Sequence, residues 1–172
     1  SNYPPDRFAE AIAAGGTDGR PRIASLQPHH SLVHRREFED GLQASCLEHN
    51  IAVIPYSPLA SGFLTGKYSK GGPKVASGRT NATKRYFTDD GWAVLDAVRE
   101  VAAAHGSPPA AVALAWQLAQ PAVTAPIVGA NSPAQLAEQL PALDLELTAA
   151  ELRALDEASQ PFLIDGDSHP GR

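Results

Sequence analysis

The chain of 172 residues is 43% hydrophobic and 19% charged, with a formal net charge of −5. This length suits one domain with a sizeable core. The acidic balance argues against a nucleic-acid partner, because no basic patch is available for phosphate groups. The single cysteine, Cys46, excludes an internal disulfide and fits a cytoplasmic setting. No signal peptide is visible and no apolar run approaches the ~20 residues of a membrane span, so we expect no membrane partner.

The first part of the chain predicts helices that alternate with short strands. An amphipathic helix begins at Pro5 and is stopped by Gly15. A short strand over residues 22–27 and a helix over 37–48 follow. The apolar, β-branched run 51–54 then predicts a buried strand, which a proline ends.

A loop of small residues follows this strand, from Tyr56 to Tyr68, and carries Lys67 near its end. A buried parallel strand that leads into such a loop places backbone N–H groups, hydroxyls and one cation at the strand's C-terminal end. Anionic ligands bind there in α/β proteins. The alternative is an ordinary strand with a flexible connection, and the loop alone leaves both open.

The remainder predicts a long mobile loop followed by helices and one more strand. Residues 69–88 are rich in Gly, Ser, Lys and Arg, and loops of this length are usually functional or disordered. Helical spacing continues from Asp89 to His105. Further features are a helix with Ser107 as its N-cap, a buried strand over 123–128, a helix capped by Ser132, a capping box formed by Thr148 and Glu151, and a polar tail from Pro161 that should fray.

Strands that alternate with helices imply a parallel sheet with right-handed crossovers. Three strands are too few for a well-covered doubly wound sheet. They fit consecutive units of a (β/α)8 TIM barrel better. The predicted fold class is therefore α/β, with only the C-terminal half of a parallel (β/α)8 barrel present.

Several separated motifs, in the same order, resemble those of the aldo/keto reductase family of NAD(P)H-dependent barrel oxidoreductases. The resemblance extends from Ser1 to about Asp156. It implies that residues 1–160 form the barrel from the end of strand five through strand eight with the C-terminal helices, and that 161–172 are a polar tail. The motifs are Ser1-Asn2-Tyr3, Leu26-Gln27-Pro28-His29, the run from Tyr56 to Tyr68, Ala113-Leu114-Ala115-Trp116, and Pro126-Ile127-Val128-Gly129-Ala130 followed by Gln135.

The resemblance implies a site for NADP(H), with NAD(H) as the other candidate. Ser1, Asn2 and Gln27 would hold the nicotinamide carboxamide, and Tyr56 would lie flat against the nicotinamide ring. For each polar residue at a strand end, simple capping is the alternative. The remaining implied cofactor residues are Ser57, Pro58, Leu59, Gly62 and Lys67 around the pyrophosphate, Arg79 over the cofactor, and Gly129, Asn131, Gln135 and Gln139 towards the adenosine end.

Two departures from the family pattern concern this adenosine end. Asn131 stands where NADPH-binding relatives often carry Arg or Lys, and Gln139 stands where the family usually has asparagine. An asparagine cannot supply the charge-assisted contact to a 2′-phosphate that an arginine supplies. The expectation is a weakened preference for NADPH, with Arg79 as the candidate substitute.

The family's catalytic Asp, Tyr, Lys and His belong to the first four strand units, so the resemblance implies that they precede this chain. No catalytic residue and no metal site is predicted here, and the chain alone should be inactive. His29 and His30 are expected to line a pocket for a small carbonyl substrate. Two alternatives stay open: a non-enzymatic relative similar to channel β-subunits, and a stand-alone half barrel that associates through its open edges.

Overall fold

The computed structural model describes residues 1–73, 75 and 80–164. Two short strands lie among helices and 3₁₀ turns. The 3₁₀ turns cover Ala60–Thr65, Lys84–Tyr86 and Leu140–Leu143. The strands and α-helices are α1 (Pro5–Ala14), β1 (Ser25–Leu26), α2 (Arg36–Glu39), α3 (Leu42–Glu48), β2 (Ala52–Val53), α4 (Thr80–Thr83), α5 (Asp89–His105), α6 (Pro109–Leu118), α7 (Pro133–Ala137), α8 (Ala149–Ser159) and α9 (Pro161–Ile164).

The three predicted strands lie side by side in parallel. β1 pairs with β2, with Leu26 opposite Val53. The third segment joins β2 through a parallel bridge between Val53 and Val123, and Ile127 N donates to Pro55 O at 2.8 Å. The regular ladder is shorter than predicted. Pro28 and Pro55 follow the first two strands closely and Pro126 lies within the third segment, and a proline cannot donate a backbone hydrogen bond. This small parallel sheet among helices is consistent with part of a TIM barrel.

Two clusters of buried apolar side chains cover this sheet and the long helices. The first combines β1, β2 and α1–α3 through Phe8, Leu26, Phe38 and Val53, and it includes Cys46, which is 1% exposed. This thiol therefore packs in the core as a small apolar group. The second cluster combines the 59–68 segment with α5, α6 and α8.

Helix ends were predicted well where a local side chain defines them. Ser132 Oγ accepts a hydrogen bond from Gln135 N at the start of α7, and Thr148 and Glu151 form the predicted capping box of α8. The prediction for Ser107 was wrong. The N-cap of α6 is Pro108, which has an extended backbone with a φ of −63° and a ψ of 143° and forms no side-chain cap.

Three other segments differ from the predictions. The helix over 37–48 is broken between α2 and α3, where Gly41 has a φ of +115° that a continuous helix excludes. The described end of the 69–88 segment is ordered by Tyr86, which is 1% exposed. The tail was predicted to fray from Pro161, but it begins with helix α9, whose Phe162 packs against the second cluster. Residues 165–172 of the predicted tail lie outside the described residues.

Candidate functional site

The N-terminal residues contact the C-terminal ends of the first two parallel strands. Ser1 Oγ donates to the backbone carbonyl of Gln27 at 2.8 Å, and the Tyr56 hydroxyl donates to Asn2 Oδ1 at 3.1 Å. Burial, together with the nearby charge of Glu37, raises the pKa of Tyr56, so its hydroxyl stays protonated at neutral pH. Four of the predicted site residues therefore lie together at one end of the sheet.

Three aromatic rings form a row at this end. The His29 ring stacks on Tyr56 with centroids 4.9 Å apart and on His34 with centroids 3.7 Å apart. The His34 side chain is only 15% exposed, and its Nε2 atom lies 3.2 Å from Glu37 Oε2. Burial is the main cause that lowers its pKa. The stacking of His29 on His34 has no signal in the sequence, because helix and strand periodicities do not pair residues five apart across a turn.

His30 does not line an open pocket, contrary to the expectation from the sequence. Its side chain is fully buried, and Nε2 lies 2.9 Å from Glu39 Oε1. Gln117 Nε2 donates to His30 Nδ1 at 3.1 Å and to the His30 carbonyl at 2.8 Å. Because Nδ1 accepts, the neutral ring carries its proton on Nε2 and donates it to Glu39. Burial lowers the pKa of His30 more strongly than Glu39 raises it.

A buried arginine extends this polar cluster to the C-terminal helix. Arg35 donates to both carboxylate oxygens of Glu39, at 2.8 and 2.9 Å. Its other terminal nitrogen donates to Ser159 Oγ at 2.6 Å and lies 3.1 Å from Asp156 Oδ1. The guanidinium carbon lies 5.2 Å from the ring centroid of Trp116. These contacts fix the segment that carries the three-ring row.

The loop after β2 contains a run of left-handed backbone. Ala60, Ser61 and Gly62 have φ values of 49°, 57° and 92°, and Ser57 has a φ of 56°. For residues other than glycine this conformation costs about 1 kcal/mol each, and such outliers concentrate at functional sites. Turns of this kind form concave backbone surfaces that bind anions.

Lys67 faces this left-handed turn. A Cβ added to Gly62 would lie only 3.2 Å from Lys67 Nζ, so a side chain at position 62 would fill the space that the ammonium group faces. The Lys67 side chain is otherwise exposed. Pro58 and Leu59 are buried, so only their backbone can face a ligand. A glycine-lined concave turn with one exposed cation fits an anionic group such as a pyrophosphate.

The predicted adenosine end is organised by local hydrogen bonds. Gln135 Oε1 accepts from Asn131 N at 2.9 Å, and Gln139 Nε2 donates to the Gly129 carbonyl at 3.2 Å. Gly129, Asn131 and Gln135 are exposed, whereas Gln139 is buried. Both glutamines thus form hydrogen bonds to the loop that leads into α7. This is the simple capping role that the sequence analysis gave as the alternative to cofactor binding. Their contact with a cofactor stays a prediction, and Arg79 lies outside the described residues.

Within 1–73, 75 and 80–164, no group of three or more His, Cys, Asp or Glu side chains could hold a metal ion. In the same part of the chain, no helix has the length and apolar character that a membrane crossing requires.

This chain is similar to several known proteins that are named as oxidoreductases or reductases. An uncharacterized oxidoreductase of Mycobacterium tuberculosis is 39% identical over 166 residues, which are 94% of this chain and 49% of that protein. An aldo-keto reductase of Fusarium vanettenii is 32% identical over 94% of this chain and 44% of its own length. The versiconal hemiacetal acetate reductase of Aspergillus parasiticus is 30% identical over 90% of this chain and 44% of its own length.

The chain therefore spans about half the length of the curated relatives it matches. The family model for aldo/keto reductases matches residues 1–160, nearly the whole chain, in agreement with the motifs at the strand ends. The chain belongs to the aldo/keto reductase family.

Proposed function

We propose that the complete protein is an NAD(P)H-dependent oxidoreductase that reduces aldehydes or ketones to alcohols, and that this chain supplies the cofactor-binding part. The observation that carries the proposal is the pairing of Tyr56 with Asn2 at the strand ends, followed in the chain by the left-handed turn under Lys67. Family membership and the oxidoreductase relatives support the same activity.

The residues at the strand ends fit a nicotinamide. Its carboxamide needs a donor and an acceptor, and the Ser1 hydroxyl and the Asn2 amide provide both kinds of group. The Tyr56 ring, held by Asn2 at its hydroxyl and by His29 at its side, offers a flat surface of fixed orientation. Bound NAD(P)H supplies the hydride, and the role of these residues is to hold and orient the ring.

The pyrophosphate is proposed to bind at the turn of residues 60–62. An anion there would meet backbone of left-handed conformation and the ammonium group of Lys67, which has no other charged group within salt-bridge distance in the described part of the chain. Gly62 leaves the space for it. Gly129 and the start of α7 are proposed for the adenosine end.

The preference for NADPH is proposed to be weak. Asn131 is exposed, and its neutral amide offers no positive charge to a 2′-phosphate. Comparing kcat/KM for NADPH and NADH in the complete protein tests this. A preference above about a hundredfold, ~2.7 kcal/mol, contradicts it.

The catalytic Asp, Tyr, Lys and His are proposed to lie in the other half of the barrel, which would be the principal partner of this chain. The exposed Ile127 and Val128 on the outer parallel segment, 43% and 41% exposed, support such a partner. The proposed setting is cytoplasmic. No described contact favours the alternative of a non-enzymatic channel β-subunit-like protein.

Isothermal titration of NADP⁺ and NAD⁺ against the chain tests the proposed function. Binding is expected, and Tyr56→Ala and Lys67→Ala should each weaken it. Lys70→Ala is the matched control, because Lys70 is an exposed lysine of the same segment that pairs with Asp89. No binding by the wild-type chain, or equal effects of Lys67→Ala and Lys70→Ala, would contradict the proposal.

A further inference from the structure

We infer that Arg99 is a positioning residue for the proposed pyrophosphate loop and acts through Lys67. This inference rests on the proposed function and adds a residue that none of the loop motifs contains. Arg99 belongs to α5, more than thirty residues beyond the loop in sequence, yet its guanidinium reaches the loop backbone.

The contacts of Arg99 enclose the backbone of Lys67. Its Nη2 donates to the Gly66 carbonyl at 3.0 Å and also to the Tyr68 carbonyl. These are the carbonyls of the residues immediately before and after Lys67. The Nη1 atom is oriented by Asp96, whose Oδ1 lies 3.0 Å away. A planar guanidinium with several fixed donors is suited to hold two acceptors at once.

The backbone at Gly66 is fixed from a second side. Its φ is +83°, and an added Cβ would lie 2.7 Å from Pro109 Cγ at the start of α6. Gly66 is thus held between Pro109 and Arg99. The peptide that follows it determines where the Lys67 side chain starts.

This placement explains how a long, exposed side chain can be directed at one turn. The Lys67 stem has four rotatable bonds, and holding an end group in one position costs side-chain entropy. Lys67 Nζ lies 5.3 Å from the Tyr68 ring centroid and faces Gly62. With the peptides on both sides of Lys67 fixed by Arg99, fewer orientations of the stem compete with the one that faces the turn.

A double-mutant cycle tests the inference, with ADP-ribose as a probe that carries the pyrophosphate but no nicotinamide. Lys67→Ala is expected to weaken ADP-ribose binding about tenfold, the effect of one lost charge-assisted contact. Arg99→Ala should weaken it about fivefold in the wild-type chain but less than twofold in the Lys67→Ala chain, because the two residues act on the same contact. The salt dependence of binding should fall in both single variants.

Two further variants separate positioning from general effects. Arg153→Ala removes an exposed arginine of α8 and is expected to leave ADP-ribose binding unchanged. Arg99→Lys keeps the charge and the fold, but a single ammonium lacks the rigid fork, so binding should stay weakened. Melting temperatures are measured for every variant, so that binding is compared only between folded chains.

The outcomes are distinct. If the wild-type chain does not bind ADP-ribose, the proposed function fails and the inference with it. If the wild-type chain binds and Lys67→Ala weakens binding, the proposed function stands; additive effects of Arg99→Ala and Lys67→Ala would then overturn the inference. ADP-ribose binding by Arg99→Lys with wild-type affinity would also overturn the inference, because the charge of Arg99 rather than its fixed geometry would then be responsible for its effect on binding.

Discussion

The hydroxyl of Tyr56 donates to Asn2 Oδ1 over 3.1 Å, although 54 residues separate the two in sequence. Asn2 itself has a φ of +56°, a conformation that asparagine tolerates better than most residues. This hydrogen bond joins the N-terminal segment to the end of β2. It is the contact through which the N-terminal residues can orient the Tyr56 ring.

Replacement of Tyr56 by phenylalanine is therefore expected to distinguish the contribution of the ring to NADP⁺ binding from that of its hydroxyl group. The ring and its stacking on His29 remain, so NADP⁺ binding should weaken only about threefold, the effect of one partly exposed hydrogen bond. Tyr56→Ala, which removes the stacking surface as well, should weaken binding by about tenfold or more. Titration calorimetry measures both variants. Equal losses in the two variants would show that the ring surface has no role of its own.

The buried pair of Arg35 and Glu39 should contribute strongly to stability. Their side chains are 7% and 11% exposed, and removal of one partner leaves the other charge buried. Arg35→Ala is expected to lower the free energy of unfolding by about 3 kcal/mol. Arg36→Ala is the matched control, because Arg36 is 47% exposed and lies 3.8 Å from Asp40; its effect should stay within about 0.5 kcal/mol. Urea denaturation of the two variants checks this, and equal effects would refute it.

Stability should decrease as the pH falls below about 6.5. Burial lowers the pKa of His30 and of His34 from 6.5, so the folded chain favours their neutral forms. A lowered histidine pKa contributes stability above the unfolded pKa, and this contribution is lost as the pH falls from that value through the folded one. Glu39 and Arg35 are the charged groups that face His30. The pKa of Glu39 is also lowered, through its hydrogen bonds and charge interactions with His30 and Arg35, which outweigh burial.

The measurement is urea denaturation at several pH values in the wild-type chain and in His30→Gln. The variant should lose part of the pH dependence between about pH 6.5 and 5, with the rest remaining from His34. His49→Gln, which changes an exposed histidine at the end of α3, serves as the control. An unchanged pH dependence in His30→Gln would contradict the assignment.

Two glycines of left-handed conformation allow a comparison of strain with steric contact. Gly66 and Gly71 have φ values of +83° and +69°, but only at Gly66 would a Cβ meet another residue, at 2.7 Å from Pro109 Cγ. Gly71→Ala should cost about 1 kcal/mol from the backbone alone. Gly66→Ala should cost about 2 to 3 kcal/mol, because the overlap adds to it. Thermal unfolding measures the difference, and equal costs would show that the contact relaxes freely.

The accuracy of the sequence predictions follows the range of the interactions involved. The capping box of Thr148 and Glu151 is formed by residues three apart, and local signals predicted the helix starts at Ser132 and Thr148 correctly, although the one at Ser107 was wrong. The parallel order of the strands also followed from the alternation with helices. Burial of His30 depends on Gln117, which is 87 residues away, so no local pattern could predict it. The left-handed turn at Ala60 and Ser61 could not be predicted either, because alanine and serine rarely adopt a left-handed backbone conformation.

The contact between Arg35 and Ser159 has a consequence for synthesis of the chain on the ribosome. The two residues are 124 positions apart. The hydrogen-bond partners of the Arg35 guanidinium, which lies near the strand ends, therefore include a residue in the last turn of α8. While the chain emerges, Arg35 can pair with Glu39 as soon as α2 forms, but its contacts with Asp156 and Ser159 must wait for almost all of the described chain. The strand ends that are proposed to hold the cofactor are therefore expected to reach their final order late, after α8 has docked.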